Sequence, residues 1–306
     1  MKAPDWIAVD WGTTNLRVWG MSCDGTMLCA ASSAKGMSKL EPCGFEPALL
    51  ELIGGWLPES RATLIIACGM VGARQGWVEV AYQPVPCVPL AAARIVYAET
   101  RDTRLKVAIV PGVSQTNPHA DVMRGEETQI AGFLSDNPAF NGVVCLPGTH
   151  TKWARIRAGE ILQFQTFMTG ELFELLRGHS VLRHNLDSSS WDDDEFKGEV
   201  SAAFASPETL AARLFRIRAE SLLSGLEAPA ANARLSGLLI GAELAAARGF
   251  WRGQQVAIIG GERQAEIYAN GLGALGQKCV AVDGTHVTLA GLRWAYLKIL
   301  EHAGDA

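Results

Sequence analysis

The chain lacks what several protein classes require. No apolar run reaches the ~18 residues of a membrane-spanning helix. No basic tract appears, and Lys+Arg number 27 against 32 Asp+Glu, a formal net charge of -5. A nucleic-acid backbone or an anionic membrane is therefore not the expected partner. The first residues, Met1-Lys2-Ala3-Pro4-Asp5, turn straight into a strand-like segment without an apolar signal region. Seven cysteines form an odd set with no Cys-x-x-Cys pair, which excludes both a disulfide framework and a paired zinc site. They read as small buried hydrophobes of a protein kept in a reducing cytoplasm. What remains is ordinary globular material: 306 residues, 48% hydrophobic and 19% charged, enough for two domains with cores of their own.

The chain repeats one plan. Asp5 to Asp10 is a buried strand, Asn15 to Ser22 alternates, Asp24-Gly25 marks a hairpin and Thr26 to Ser32 returns. A helix over Glu46 to Leu57 and a buried strand over Ala62 to Cys68 follow. From residue 142 the order recurs: Gly142 to Leu146 as strand, Thr151 to Arg157 after a Gly-Thr turn, a hairpin at Gly159, Ile161 to Met168 returning, and a helix from Glu171 to Arg177. Strand, Gly-Thr turn, hairpin, third strand and helix thus occur twice, which is the mark of an internal duplication. Asn232 is placed to cap a later helix. A strand over Gln255 to Ile259, a helix over Glu262 to Asn270, a strand over Lys278 to Val282 and a last helix from Thr285 close the second half. Between the halves lies a connector, Ala120 to Leu134, whose carboxylates suit a helix N-terminus. Asp187 to Glu195 is a polar insert without the sixth-position glycine of a calcium loop and reads as a solvated surface loop.

Gly271-Leu272-Gly273-Ala274-Leu275-Gly276 matches the dinucleotide pattern GxGxxG but leaves a helix and enters a strand, the reverse of what that motif needs. Gly271 instead reads as a helix C-cap. A Walker A sequence is missing. Three other turns put small residues after a strand. In Asp10-Trp11-Gly12-Thr13-Thr14, Gly12 admits a phosphate to the backbone, Thr13 and Thr14 donate to its oxygens, and Asp10 can hold magnesium through water. A tight hairpin with a carboxylate capping its own turn would explain the same residues. Pro147-Gly148-Thr149-His150-Thr151-Lys152 is a second turn of this kind with an added cation, although Lys152 also suits a plain surface strand. Gly260-Gly261 is the third, where absent side chains let a base or phosphate lie against a helix start.

In this order the three turns resemble the acetate kinase, sugar kinase, heat-shock 70 and actin superfamily. That resemblance implies an α/β fold of two duplicated ribonuclease-H-like (actin-like ATPase) domains with an interdomain ATP cleft. Residues 1–138 would form the sugar-acid side with the first phosphate loop. Residues 139–306 would carry the second phosphate loop (Gly148, Thr149, Thr151, Lys152) and the adenosine motif, the last helix crossing back. Four motifs, Asp10 to Arg17, Cys68 to Trp77, Met123 to Gln129 and Leu146 to Trp153, are similar to the 2-dehydro-3-deoxygalactonokinase family. The family implies ATP- and magnesium-dependent phosphorylation of the 6-hydroxyl of 2-dehydro-3-deoxy-D-galactonate, with a homodimer among the expected assemblies. Another sugar-acid kinase, or an actin-like or exopolyphosphatase-like phosphohydrolase, is the alternative.

Such a reaction needs a carboxylate to take the acceptor's proton. Glu126 and Glu127 are the candidates, Glu126 first because Gly125 frees the backbone before it; Asp121 stands behind them, and both glutamates would also serve the helix dipole. A sugar acid's carboxylate calls for arginine. Arg74, in a Gly-flanked loop beside Gln75, fits best, with Arg17 and Arg124 competing. Trp77 would pack on the sugar or in the core.

Overall fold

The computed structural model describes residues 3–186 and 190–304. The chain divides into two compact units, Met1–Phe140 with Arg157–Gln163 and Gly284–Ala306, and Asn141–Ile156 with Phe164–Asp283.

The first unit is built on β1 (Trp6–Trp11), β2 (Leu16–Met21), β3 (Met27–Ser33), α1 (Phe45–Ile53), β4 (Thr63–Gly69), β5 (Gln83–Pro84), β6 (Val96–Ala98), β7 (Leu105–Ile109), β8 (Val113–Gln115), β9 (Asp121–Met123) and α2 (Glu126–Asp136). Its main sheet runs β3-β2-β1-β4-β7-β6. β1 pairs antiparallel with β2 and parallel with β4, so it is central and reads as a nearly unbroken apolar run. One face packs on α1 through Ile7, Val9, Phe45 and Leu49; the other packs Trp6, Ala8 and Ile66 against Leu292 and Tyr296 of the C-terminal helix, Gly284–Gly304. That helix crosses α2 without side chains between the backbones: a Cβ on Gly291 would stand 2.0 Å from the Thr128 carbonyl oxygen.

The second unit repeats the first. Its strands are β10 (Gly142–Leu146), β11 (Thr151–Arg157), β12 (Glu160–Phe167), β13 (Val256–Gly260) and β14 (Val280–Asp283), in the order β12-β11-β10-β13-β14. Both sheets therefore share a five-strand core, an antiparallel hairpin on one side of the first strand and two parallel strands on the other, the ribonuclease-H-like plan; the first sheet adds β6, antiparallel to β7, at its edge. Its helices are α3 (Thr169–His179), α4 (Asp193–Ala205), α5 (Leu210–Leu223), α6 (Ala228–Ala246), α7 (Arg248–Trp251) and α8 (Glu262–Ala274).

Several sequence expectations are corrected. Asn232 does not cap a helix: α6 begins four residues earlier, where Pro229 suits the first turn, and Asn232 is buried within it. Gly271 is not a C-cap, because the buried stripe Ala265, Tyr268, Leu272 carries α8 on to Ala274; the left-handed residue that follows is Gly276, φ +77°. Within the connector the carboxylates Glu126 and Glu127 do open a helix, α2, as expected; ahead of it β9 occupies Asp121–Met123, and Gly125 turns the chain at φ +112°. The helix placed over Glu46 to Leu57 is α-helical only as far as Ile53. Of the polar insert, Asp187 to Ser189 lie outside the described residues, whereas Asp192 accepts from the amides of Asp194 and Glu195 and starts α4. Only Cys68, Cys87 and Cys145 are buried; Cys23 and Cys43 are exposed. The small sheet β5-β8-β9 was not anticipated, its strands being two or three residues long.

Candidate active site

In the first unit, strand register assembles the site. Asp10 lies opposite Arg17 across β1–β2 and beside Cys68 across β1–β4. Arg17 donates from Nη2 to Asp10 Oδ2, forming an ion pair whose side chains are 43% and 17% exposed. The turn after Asp10 is braced from below: the amides of Met37, Ser38 and Gly36 donate to the carbonyls of Gly12, Thr13 and Thr14. The threonines themselves stay exposed. Gly69 ends β4 at φ +88°, where a Cβ would meet the Trp11 carbonyl oxygen at 2.6 Å, and Gly125 passes against it. Thus the ends of β1 and β4 and the start of α2 converge.

The two glutamates of α2 have different surroundings. Glu127 is fully buried; its Oε2 accepts from the Gly125 amide at 2.7 Å and its Oε1 from the Thr128 hydroxyl at 2.9 Å. Burial, with the Glu126 charge second, pushes its carboxyl up to about 7. Glu126 is only partly buried and accepts from the Arg124 amide at 3.0 Å. Burial, then Asp10 and Glu127, push the Cys68 thiol well up, leaving it protonated and inert. A raised carboxyl favours folding in its protonated form, so this stabilisation is complete below about pH 4.5 and is lost as pH rises through about 7. Glu127→Gln should remove on the order of 3 kcal/mol from the stability lost between pH 5 and 8. Chemical denaturation at both pH values checks this.

The sugar-acid candidates part company. Arg74 and Gln75 are exposed on a turn after Gly72, and Arg74 pairs with no described residue. Trp77, half-buried, stacks on Phe45, 6.3 Å between ring centroids, and meets Trp11 edge-on, packing against the core. Arg124 lies over the Tyr82 ring at 4.3 Å and donates to the Val80 carbonyl at 2.8 Å. Its guanidinium ties the connector to the 72–82 loop rather than facing solvent. Asp121 is partly buried and accepts from the Val122 amide in β9.

In the second unit a cavity of about 620 Å³ opens between the second turn and α8. Gly148 and Thr149 line it from the second turn, and Arg263 and Gln264 from the first turn of α8; Gly260 and Gly261, just before that helix, do not themselves line it. Apolar Leu239, Ile240 and Ile267 and polar Asn232 and Ser236 line the space between, with Trp191 and Arg263 6.0 Å apart at its edge. Among the described residues, its chain neighbours aside, nothing comes within 4 Å of where a Cβ on Gly148 would stand, so its missing side chain leaves room beside the backbone. Thr151 is turned inward, its hydroxyl 2.9 Å from that of Tyr268. Lys152 is 4% exposed, not a surface residue, and donates to the His150 carbonyl at 3.3 Å. Neither lines the cavity.

Sequence reasoning missed a buried carboxylate. Glu243 Oε1 accepts from Trp153 Nε1 at 2.7 Å and Oε2 from the Tyr268 hydroxyl at 2.8 Å. Its signal was present: one acid inside the apolar run Leu238 to Ala247, at helical spacing from Asn232 and Ser236.

Two ribonuclease-H-like sheets in one chain define a protein of the actin-like ATPase class. A solved structure of that fold, component A of (R)-2-hydroxyglutaryl-CoA dehydratase from Acidaminococcus fermentans, superposes with a TM-score of 0.54. It is 13% identical and covered over 98% of its length, against 96% of this chain. The chain belongs to the 2-keto-3-deoxy-galactonokinase family, whose profile matches residues 10–295. A relative named 2-dehydro-3-deoxygalactonokinase, from Escherichia coli K12, is 33% identical over 94% of this chain and 96% of its own. A candidate 2-dehydro-3-deoxygalactonokinase from Rhizobium meliloti is 38% identical over 93% and 94%. A crystal structure of a candidate 2-dehydro-3-deoxygalactonokinase from Sinorhizobium meliloti is 36% identical, with a TM-score of 0.89, covering 96% of this chain and 99% of its own.

Proposed function

We propose that the chain phosphorylates the 6-hydroxyl of 2-dehydro-3-deoxy-D-galactonate with ATP, a step of galactonate catabolism. The observation that carries the nucleotide half is the cavity of about 620 Å³, with a small-residue turn at one end and a helix start at the other. Its size and its mix of apolar walls with a few polar groups suit one small ligand. The nucleoside lies along α6 and α8, while the amides near Gly148 and the Thr149 hydroxyl serve phosphate oxygens.

Magnesium is implied by the family. Among the described residues no three His, Cys, Asp or Glu side chains are grouped to hold a metal. A single carboxylate, Asp10, suits an ion that arrives on the phosphates and keeps most of its water. When bound, that ion neutralises charge on the phosphates. Asp10 would hold it, and the hydroxyls of Thr13 and Thr14 would donate to phosphate oxygens.

Glu126 accepts the acceptor's proton. Access supports Glu126 over its neighbour, since Glu127 is fully buried and Glu126 only partly. The hydroxyl oxygen forms its bond to the γ-phosphorus as the bond to the leaving oxygen of ADP breaks, and the proton passes to the Glu126 carboxylate. Arg74, exposed and unpaired, receives the sugar acid's carboxylate in a two-pronged contact.

ADP formation over a panel of 2-keto-3-deoxy sugar acids tests the reading. Turnover should depend on the acid and be fastest with the galactonate-derived epimer. Equal ADP release without any acid would make the protein a phosphohydrolase instead.

A further inference from the structure

Glu243 occupies a position no step above uses. It is 3% exposed, on α6, one helical turn beyond Leu239 and two beyond Ser236, both of which line the cavity. Three side chains bond to it. Trp153 Nε1 and the Tyr268 hydroxyl donate at 2.7 and 2.8 Å, and the Thr169 hydroxyl also bonds to it. A hydroxyl carries one proton, so Tyr268, having given its own to Glu243, accepts from Thr151 at 2.9 Å. The chain Thr151→Tyr268→Glu243 therefore runs in one direction.

These partners come from three elements. Thr151 and Trp153 open β11 directly after the Gly148-Thr149 turn. Thr169 opens α3, whose Glu171 amide donates to the Thr149 carbonyl at 2.9 Å; a Cβ on Gly170 would collide with the Gly148 carbonyl oxygen at 2.2 Å. Tyr268 lies on α8. Thr169 and Tyr268 are themselves cavity walls. We infer that Glu243 is a positioning residue for nucleotide binding: from behind the wall it locks the start of β11, the start of α3 and α8 around the second phosphate turn.

The lock depends on Glu243 accepting only. When it is protonated, its own O–H must find an acceptor: either the Tyr268 hydroxyl turns toward Thr151, reversing the chain, or the Thr169 hydroxyl turns from donor to acceptor, so one of the two cavity-wall hydroxyls changes its bonding. The titratable groups facing Glu243 are Tyr268 on α8 and the Cys145 thiol on β10; burial pushes both up, so both are neutral near pH 7. β11 and α3 present Trp153, Thr151 and Thr169, which do not ionise, and α4 closes on α6 with Val200 and Ala203. Lys152 points to the opposite face of its strand. Burial lifts Glu243 to about 7, so this switch falls within the working range.

The inference rests on the cavity being the nucleotide site, and the test separates the two. Calorimetric titration of the full chain with magnesium and ADP, at several pH values from 6 to 8, is compared for wild type, Glu243→Gln and Tyr268→Phe. Wild type should bind more tightly at pH 8 than at pH 6. Glu243→Gln should bind about tenfold more weakly at pH 8 and lose that protein-specific pH dependence, with the KM for the sugar acid unchanged. Tyr268→Phe, which removes one hydroxyl and keeps the ring, should do the same and decides the matter if Glu243→Gln fails to fold. A folded variant with wild-type affinity and pH profile overturns the inference. Wild type that binds no ADP overturns the cavity reading and the inference with it.

Discussion

Asp10→Asn is expected to lower kcat by roughly 10²–10³-fold while leaving the thermal midpoint nearly unchanged. An amide keeps the shape of the β1 end and still accepts from Arg17, and a pair exposed to 17% and 43% contributes at most ~1 kcal/mol. On the proposed reading it loses the charge that would hold magnesium on the phosphates. Raising magnesium should recover part of the rate. A folded Asp10→Asn enzyme with wild-type kcat would remove Asp10 from the chemistry.

The second large effect is expected at Glu126. Glu126→Gln keeps an oxygen for the Arg124 amide, so the start of α2 survives, but it cannot take a proton. Its kcat should fall by ~10²–10⁴-fold with little change in either KM. Glu127→Gln should retain most of the rate and change the pH dependence of stability instead. The reverse pattern, a dead Glu127→Gln and an active Glu126→Gln, would make the buried carboxylate the base and require α2 to open during turnover.

The fold was legible because its strands announce themselves twice. Gly142 to Leu146 and Thr151 to Arg157 have the bounds the apolar pattern gives, and the order of elements repeats in both halves. Helix ends were less legible. At Asn232 and Gly271 a residue with a strong local preference is overridden by tertiary packing: both are buried in helices whose apolar stripes run past them. The candidate phosphate turns could be found from small residues after strands, since Thr13, Thr14, Thr149 and Gly261 are exposed and do little for the core; the burial of Thr151 and Lys152 could not. Burial could not be found. Nothing in Arg-Gly-Glu-Glu tells which glutamate is sealed, because Gly125 sets the direction of α2 only once it packs against Gly69. By chemistry alone Trp77 would pack on a sugar or in the core, and it stacks on Phe45; Arg124, a competitor for the sugar acid's carboxylate, lies over Tyr82.

The central claim is transfer to one hydroxyl of one sugar acid. The most direct test is phosphorus and carbon NMR of the product formed from ATP and carbon-13-labelled 2-dehydro-3-deoxy-D-galactonate. The account predicts a phosphomonoester signal coupled to C6, appearing mole for mole with ADP. Inorganic phosphate released while the sugar acid stays unchanged, or phosphate on a carbon other than C6, would contradict it.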